Sequence, residues 1–392
     1  MDTRGQVRLA LGVALAAGAF LVSPGAATSS LDGGDANSVV GVEVLGEAVV
    51  PSGTLFGGTE VGGLSSITFD GARGVYHALS DDQGNRSTGD PVRYYTIEID
   101  LADGVFDAED LDFVGVAELL DSDATSFPPG GLDPEGFTLA RQGFFYMSSE
   151  GNPLADPIID PFIRRYNRNG RVTAELPIPD HYLPNGVDRG VRFNLAFESL
   201  NPTPDRRSLV TAGEGALFQD GPVSTFTNGS LARILEYDVP TRSPAAEYVY
   251  EVGPWVEPST IFGVNGIVEV LPIDDVGTML VMERSFSVGG VLGGGTGNVV
   301  VLNEISTAGA TDVLDVDALY DGGSPIDLTP VSQHEVFAFD DLGIPIDNLE
   351  GMTFGPTLPD GRRSLIVVSD NNFSPGQFTQ FIVLALDVQP VN

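Results

Sequence analysis

Carboxylates recur in this chain at positions that can act together. Glu135, Glu198 and Glu350 each open a short apolar segment, and Ser65 and Asn265 hold the corresponding place in two more. Further along each copy stands a second acidic group: Asp81 and Asp82, Glu150, Glu214, Glu283 and Asp370. Gathered at one place, these side chains would repel one another in a partly desolvated volume unless protons or cations neutralised them. Oxygen-only ligands carried on several loops suit Ca²⁺, which accepts about six to eight of them. The expected metal ligands are therefore Asp81, Asp82, Glu135, Glu150, Glu198, Glu214, Glu283, Glu350 and Asp370, with Ca²⁺ as the cofactor. A bound ion would polarise an ester oxygen and activate water. Glu135, Glu198, Glu350 and Asp370 would then serve as ligands or bases, and Arg284 is the nearest cation for an anionic group. At any single position the alternative is a solvated strand end, with the glycine after Glu135 or Glu350 demanded by a turn.

The elements that must position these groups are repeated. LSSITFDGARGVYHALSDD from Leu64, PEGFTLARQGFFYMSSE from Pro134, FESLNPTPDRRSLVTAGE from Phe197, VNGIVEVLPIDDVGTMLVMERS from Val264 and LEGMTFGPTLPDGRRSLIVVSDN from Leu349 share one pattern. It is strand, turn, strand, with a polar residue leading and an acid near the end, and such a repeat signals a propeller or solenoid. Two further β-rich runs follow each hairpin, at 93–99 with 112–116 in the first copy and at 298–304 with 311–316 in the fourth. The last copy has only FTQFIVLALDV after its hairpin, while VVGVEVLGEAVV near the N-terminus is unclaimed. An N-terminal strand that closes the last blade is how a β-propeller seals its ring. The expected fold is thus all-β, a propeller of five four-stranded blades, with six left open by residues 317–346. Helical periodicity appears only around Val313 to Leu319. In a propeller the first strand of every blade lines the channel, so its start and the end of the second strand meet at one mouth. The acids would converge there, and Arg206-Arg207 and Arg362-Arg363 would sit at the opposite mouth as turn surface.

Composition excludes several chemistries. The chain has 55 acidic residues against 19 basic ones and a net charge of −36, which repels nucleic acid and anionic membranes. The same surface tolerates divalent cations and high salt. Every basic residue is Arg, so lysine chemistry is absent, and with no Cys there are no disulfides, thiol nucleophiles or thiolate metal sites. His77, His181 and His334 lie far apart without zinc-site spacing. No GxSxG occurs, and the glycine run 289–298 leads into a strand where a dinucleotide site needs a helix. Trp255, the single Trp, reads as a packed loop residue.

The N-terminus carries Arg4 and Arg8, an apolar run from Leu9 to Val22, and small residues around Ala26-Ala27. This is the pattern of a signal peptide, and the run is shorter than the roughly 20 residues of a membrane span. Residues 1–27 are expected to be a leader, 28–38 a linker or disordered segment, and 39–392 one domain, secreted or periplasmic. After cleavage no membrane contact is expected, and the mature chain is expected to be a monomer.

GGLSSITFD with YHALSDD, DPEGFTL with FFYMSSEG, FNLAFESLNPTPDRRSLVTAGEG, TMLVMERSF and NLEGMTFGPTLPDGRRSLIVVSDNNF resemble the phytase-like family, described by an esterase-like activity of phytase. Its members are exported β-propellers, and the resemblance runs from about Gly62 to Asp387. Two positions depart from the family pattern. Phe197-Glu198-Ser199 stands where Glu-Gly is usual, and Ser149 replaces an acid, which would remove one metal ligand. The resemblance implies a hydrolase acting on a small ester or phosphoester. A non-catalytic propeller stapled by Ca²⁺ and a lactonase-like propeller, for which Asn265 would supply a ligand, remain alternatives.

Overall fold

A computed structural model describes residues 20–21, 36–86 and 88–391. The expected leader lies outside the described residues except for Phe20–Leu21, which pairs with Gly41 and Val42. Most of the expected linker lies outside them too, and the first long strand starts at Asn37.

Blade 1 contains Leu64–Asp70, Val75–Ser80, Arg93–Ile99 and Leu111–Glu118, and blade 2 contains Pro134–Leu139, Phe145–Ser149, Phe162–Tyr166 and Val172–Leu176. Blade 3 is Asn201–Pro202, Ser208–Ala212, Ser230–Asp238 and Ser243–Val252; blade 4 is Gly263–Pro272, Thr278–Ser287, Asn298–Ser306 and Ser332–Ala338. Blade 5 joins Asn348–Thr357, Arg363–Asp370 and Phe378–Pro390 to the N-terminal strand Asn37–Pro51. The fold is a five-bladed β-propeller. Val42 faces Leu386 and Val50 faces Thr379, so the first and last segments of the chain share one sheet.

Side chains alternate between the two faces of each strand, which lets every blade pack on both neighbours. In blade 2, Phe145 and Met147 pack with Leu79, Tyr94 and Leu119 of blade 1, whereas Tyr146 and Ile163 pack with Leu209, Leu235 and Tyr237 of blade 3. Val210 and Ile234 of blade 3 meet Ile267, Met279 and Val281 of blade 4. Leu280 and Met282 meet Met352, Val367 and Leu384 of blade 5, and Ile366 and Val383 meet Ile67, Ala78 and Tyr95 of blade 1. Each pair of neighbouring blades therefore shares an apolar core, and the ring is continuous.

Two expectations about the blade-4 connection fail. Its outer strand is Ser332–Ala338, not 311–316, and no helix forms at 313–319. Val313 and Leu319 instead bury themselves beside Val249 of blade 3. Their backbone is pinned there by the Val313 N–H donating to Glu247 O and the Leu319 N–H donating to Asp220 Oδ1. The apolar spacing serves a surface pocket of blade 3, which leaves the later segment to pair with Asn298–Ser306.

Candidate functional site

β-bulges aim the leading residues. In blade 1, Leu64 faces Ser80 and Ser66 faces Leu79, so Ser65 has no cross-strand partner. In blade 5, Leu349 faces Ser369 and Gly351 faces Val368, which leaves out Glu350. In blade 2, Pro134 faces Ser149 and Phe137 faces Met147, with Glu135 and Gly136 together opposite Ser148. A bulge bends its strand and re-aims the extra side chain. The small residue that follows is demanded by the adjacent blade rather than by a turn. A Cβ on Gly136 would lie 2.6 Å from Leu200 Cβ, and one on Gly351 would lie 2.8 Å from Ser66 Cα. Neither glycine has a positive φ. Ser66 fills the same role in blade 1, where its hydroxyl accepts the Phe137 N–H at 3.0 Å.

Asp81, Glu135, Glu150, Glu198, Glu214, Glu350 and Asp370 lie together with Arg284 at one mouth. Asp133, absent from the expected set, joins them. Asp133, Glu135 and Glu150 each bring a carboxylate oxygen within 4.8 Å of the others. The signal for Asp133 was the DPEG motif itself, two residues ahead of Glu135. Ser149 accepts the Asp133 N–H at 3.0 Å, so the serine in place of an expected ligand holds the segment that carries a different one. The Asp81 Oδ1 atom is buried with no hydrogen-bond partner among the described residues.

Arg284 is the one cation in this group. It reaches Glu214 at 3.3 Å, donates to Glu350 and Asn348, and leaves its buried Nε without a partner among the described residues. Asn348 also donates to Glu350 at 2.8 Å and to Asp370 at 3.2 Å. The guanidinium thus already faces two carboxylates, which weakens the expectation that it holds an anionic substrate group.

Burial and mutual repulsion raise the acids. Glu150 is pushed up to about 8 by burial and by the Asp133 charge, against a hydrogen bond from the Ala196 N–H. Glu214 rises to about 7 through burial, with Arg284 opposing the shift. Asp133 rises to about 6 through burial, with a hydrogen bond from Gln83 pulling the other way. Asp81, Glu135, Glu198 and Asp370 are held well above the usual carboxylate range, mainly by burial and then by neighbouring acids. Near neutral pH such a mouth keeps protons or takes up a cation.

Asp82 and Glu283 stand apart from this set. Asp82 forms a buried ion pair with Arg93 at 3.0 Å, which ties the second strand end of blade 1 to its third strand. Glu283 lies inside a strand that runs on to Ser287, so it and Arg284 face opposite sides. It accepts from Tyr250 Oη at 2.7 Å, Asn265 Nδ2 at 2.6 Å and the Gly253 N–H at 3.1 Å. Asn265 is drawn away with it, because the blade-4 bulge falls between Ile267 and Glu269 and leaves Asn265 paired with Ser285.

A cleft of about 970 Å³ opens over blades 3 to 5 beside the acids. Glu214, Arg284 and Glu350 line it together with Trp255, Phe262 and Phe286. Trp255 is therefore a cleft wall as well as a packed residue, its indole N–H donating to Ser224 O at 3.0 Å.

Fold and site define a five-bladed β-propeller whose inner strands gather carboxylates at one mouth. The chain belongs to the phytase-like family, described by an esterase-like activity of phytase, whose pattern matches residues 59–373. An uncharacterized secreted protein of Arthroderma benhamiae is 26% identical over 192 residues, covering 40% of this chain and 35% of the relative. The chain thus spans about a third of that relative's length. Among solved structures, the α-L-arabinofuranosidase of Lactobacillus brevis has a TM-score of 0.43 at 10% identity, covering 82% of this chain and 91% of that one. The periplasmic gluconolactonase of Pseudomonas aeruginosa has a TM-score of 0.31 at 12% identity, covering 85% of this chain and 90% of that one.

Proposed function

We propose that this chain is an exported, calcium-dependent hydrolase of ester or phosphoester bonds. The observation that carries the reading is the convergence of Asp133, Glu135 and Glu150 near the unpartnered Asp81 Oδ1, alongside a cleft of substrate size. The donors are all carboxylate oxygens, which fits a hard cation and not a thiolate- or imidazole-bound one. Asp133, Glu135 and Glu150 would hold Ca²⁺, with Asp81, Glu198 and Asp370 in support. When bound, the ion supplies Lewis-acid polarisation of the ester oxygen and a more acidic water.

The chain's own residues do the rest. Glu214 lies on the cleft floor with a pKa of about 7 and can exchange a proton with water near neutrality. Glu350 is oriented by Arg284 and Asn348 and faces the same space. Arg284 lines the cleft, and its guanidinium charge can stabilise an oxygen that gains charge as the bond breaks. With this guanidinium as the one cation among the described residues that line the cleft, a substrate of many phosphates lacks the cations it needs.

Calcium titration of chelated protein, with model ester and phosphoester assays run in parallel, tests the reading. Glu135→Gln and Glu150→Gln should weaken calcium binding by about tenfold or more, which is roughly 1.4 kcal/mol. Glu109→Gln, on an exposed outer turn, and Glu283→Gln should leave it unchanged. Calcium at about 100 times its Kd should stabilise the fold by about 2.7 kcal/mol and raise the melting temperature. Equal binding by all variants would reject the metal site. Normal calcium binding without cleavage of any ester would leave a binding propeller.

A further inference from the structure

The cleft walls and the cleft floor differ in chemistry. Phe262 and Phe193 line the cleft yet are 54% and 51% exposed, and Ile261, next to Phe262 in the chain, is 78% exposed. Exposed large apolar side chains grouped around one opening mark a binding site, the more so on a chain of net charge −36. Deeper in, Phe286 packs near Phe262 with ring centroids 6.4 Å apart. The Trp255 ring is fixed by its bond to Ser224 and by Gly263, where a Cβ would come within 2.4 Å of the indole. These rings form a preformed wall. The floor offers three carboxylates, Glu214, Asp347 and Glu350, against the single Arg284, whose charge two of them already meet.

We propose that this cleft binds the apolar, ring-bearing half of an uncharged ester, so that the bond to be cleaved lies over Glu214, Arg284 and Glu350. An anionic group is disfavoured by the excess of carboxylates on the floor, and a cationic one gains little there, because Glu214 and Glu350 already face Arg284 and Asp347 accepts from the Asn348 and Phe378 N–H groups and from Gln377. Burial of a ring against Trp255, Phe262 and Phe286 gains hydrophobic contact without disturbing the Arg284 ion pairs. The substrate class rests on the hydrolase reading above, whereas the binding of the apolar half does not require catalysis.

Trp255 is the only Trp, so its fluorescence reports on this cleft alone. The probes are 4-phenyl-2-butanone, the uncleavable ketone in which a methylene replaces the ester oxygen of benzyl acetate, 3-phenylpropionate and benzyltrimethylammonium. Each is titrated with calcium and with chelator. The ketone should change the Trp255 emission saturably, and it should bind at least fivefold more tightly than either charged probe. Phe262→Ala should weaken ketone binding at least fivefold, while Val105→Ala, on an outer turn of blade 1, should not. Binding of a charged probe as tightly as the ketone, or indifference to Phe262→Ala, would overturn the proposal. Ketone binding without hydrolysis of benzyl acetate would reject the hydrolase reading and leave the cleft assignment standing. Hydrolysis without ketone binding would do the reverse.

Discussion

Glu269 shows how a single carboxylate can be structural at the centre of an acidic protein. It is fully buried at the blade-4 bulge and accepts from Asn201 Nδ2 and the Val270 N–H at 3.0 Å and from the Met352 N–H of blade 5 at 3.4 Å. Burial holds its pKa well above 4.5, with the three hydrogen bonds opposing. The folded state therefore keeps a proton that the unfolded chain has lost. The associated stability is complete below about pH 4.5 and declines as pH rises toward the folded pKa, by up to about 1.4 kcal/mol per pH unit. Glu269→Gln carries no such charge, so its stability relative to the parent should increase from pH 5 to pH 8. Chemical denaturation of both proteins in chelator measures this, and a difference that does not change with pH would show that Glu269 titrates normally. The mouth acids differ from Glu269 in having one another as neighbours, which is why a cation can do for them what a proton does here.

At the scale of the strand, the motif of an acid followed by a small residue has two separate causes. The bulge turns the acid into the channel, and the contact between neighbouring inner strands excludes a larger side chain at the next position. Gly351→Ala tests the second cause. Its Cβ would meet Ser66 Cα at 2.8 Å and Val368 Cγ1 at 3.0 Å, so blades 5 and 1 must separate. Overpacking of this kind costs about 1–3 kcal/mol. The variant should melt at a lower temperature than the parent. Unchanged melting would mean that the inner strands have room to spare. Blade 4 illustrates the same logic by its exception: with the bulge three residues further on, its leading Asn265 is paired and turned toward Glu283.

For the whole molecule, ring closure depends on a strand from the other end of the chain. Asn37–Pro51 covers Phe378–Pro390 from end to end and contributes Val39, Val42 and Ala48 to the cores on both sides of blade 5. Removing residues 37–51 would expose an unpaired apolar edge, the arrangement that promotes association between molecules. The truncated chain should lose its single cooperative melting transition and aggregate, as calorimetry and light scattering would show. The same strand added as a separate peptide should restore the transition. A truncated chain that melts like the parent would mean that the ring does not need this clasp.

The five-fold repeat, the missing last strand and the recurring acids are local in the sequence, since each follows from strand alternation and from residues a few positions apart. The propeller, its N-terminal closure and the acidic mouth were therefore legible there. What tertiary structure decided lies between repeats. Asp82 and Glu283 occupy the right places in the pattern, but Arg93 in one case and Tyr250 with Asn265 in the other turn them away. Asp133 joins the mouth because Ser149, across the sheet, fixes its backbone. The strand Ser332–Ala338 was hidden because the apolar residues at 313–319 that precede it are spent on blade 3. The cleft exists only because loops from blades 3, 4 and 5 meet, with Trp255, Phe262 and Phe286 drawn from segments that carry no shared pattern. Periodicity records which face of a strand is buried, whereas the partner that buries it, or binds it, is set by how the blades close around one another.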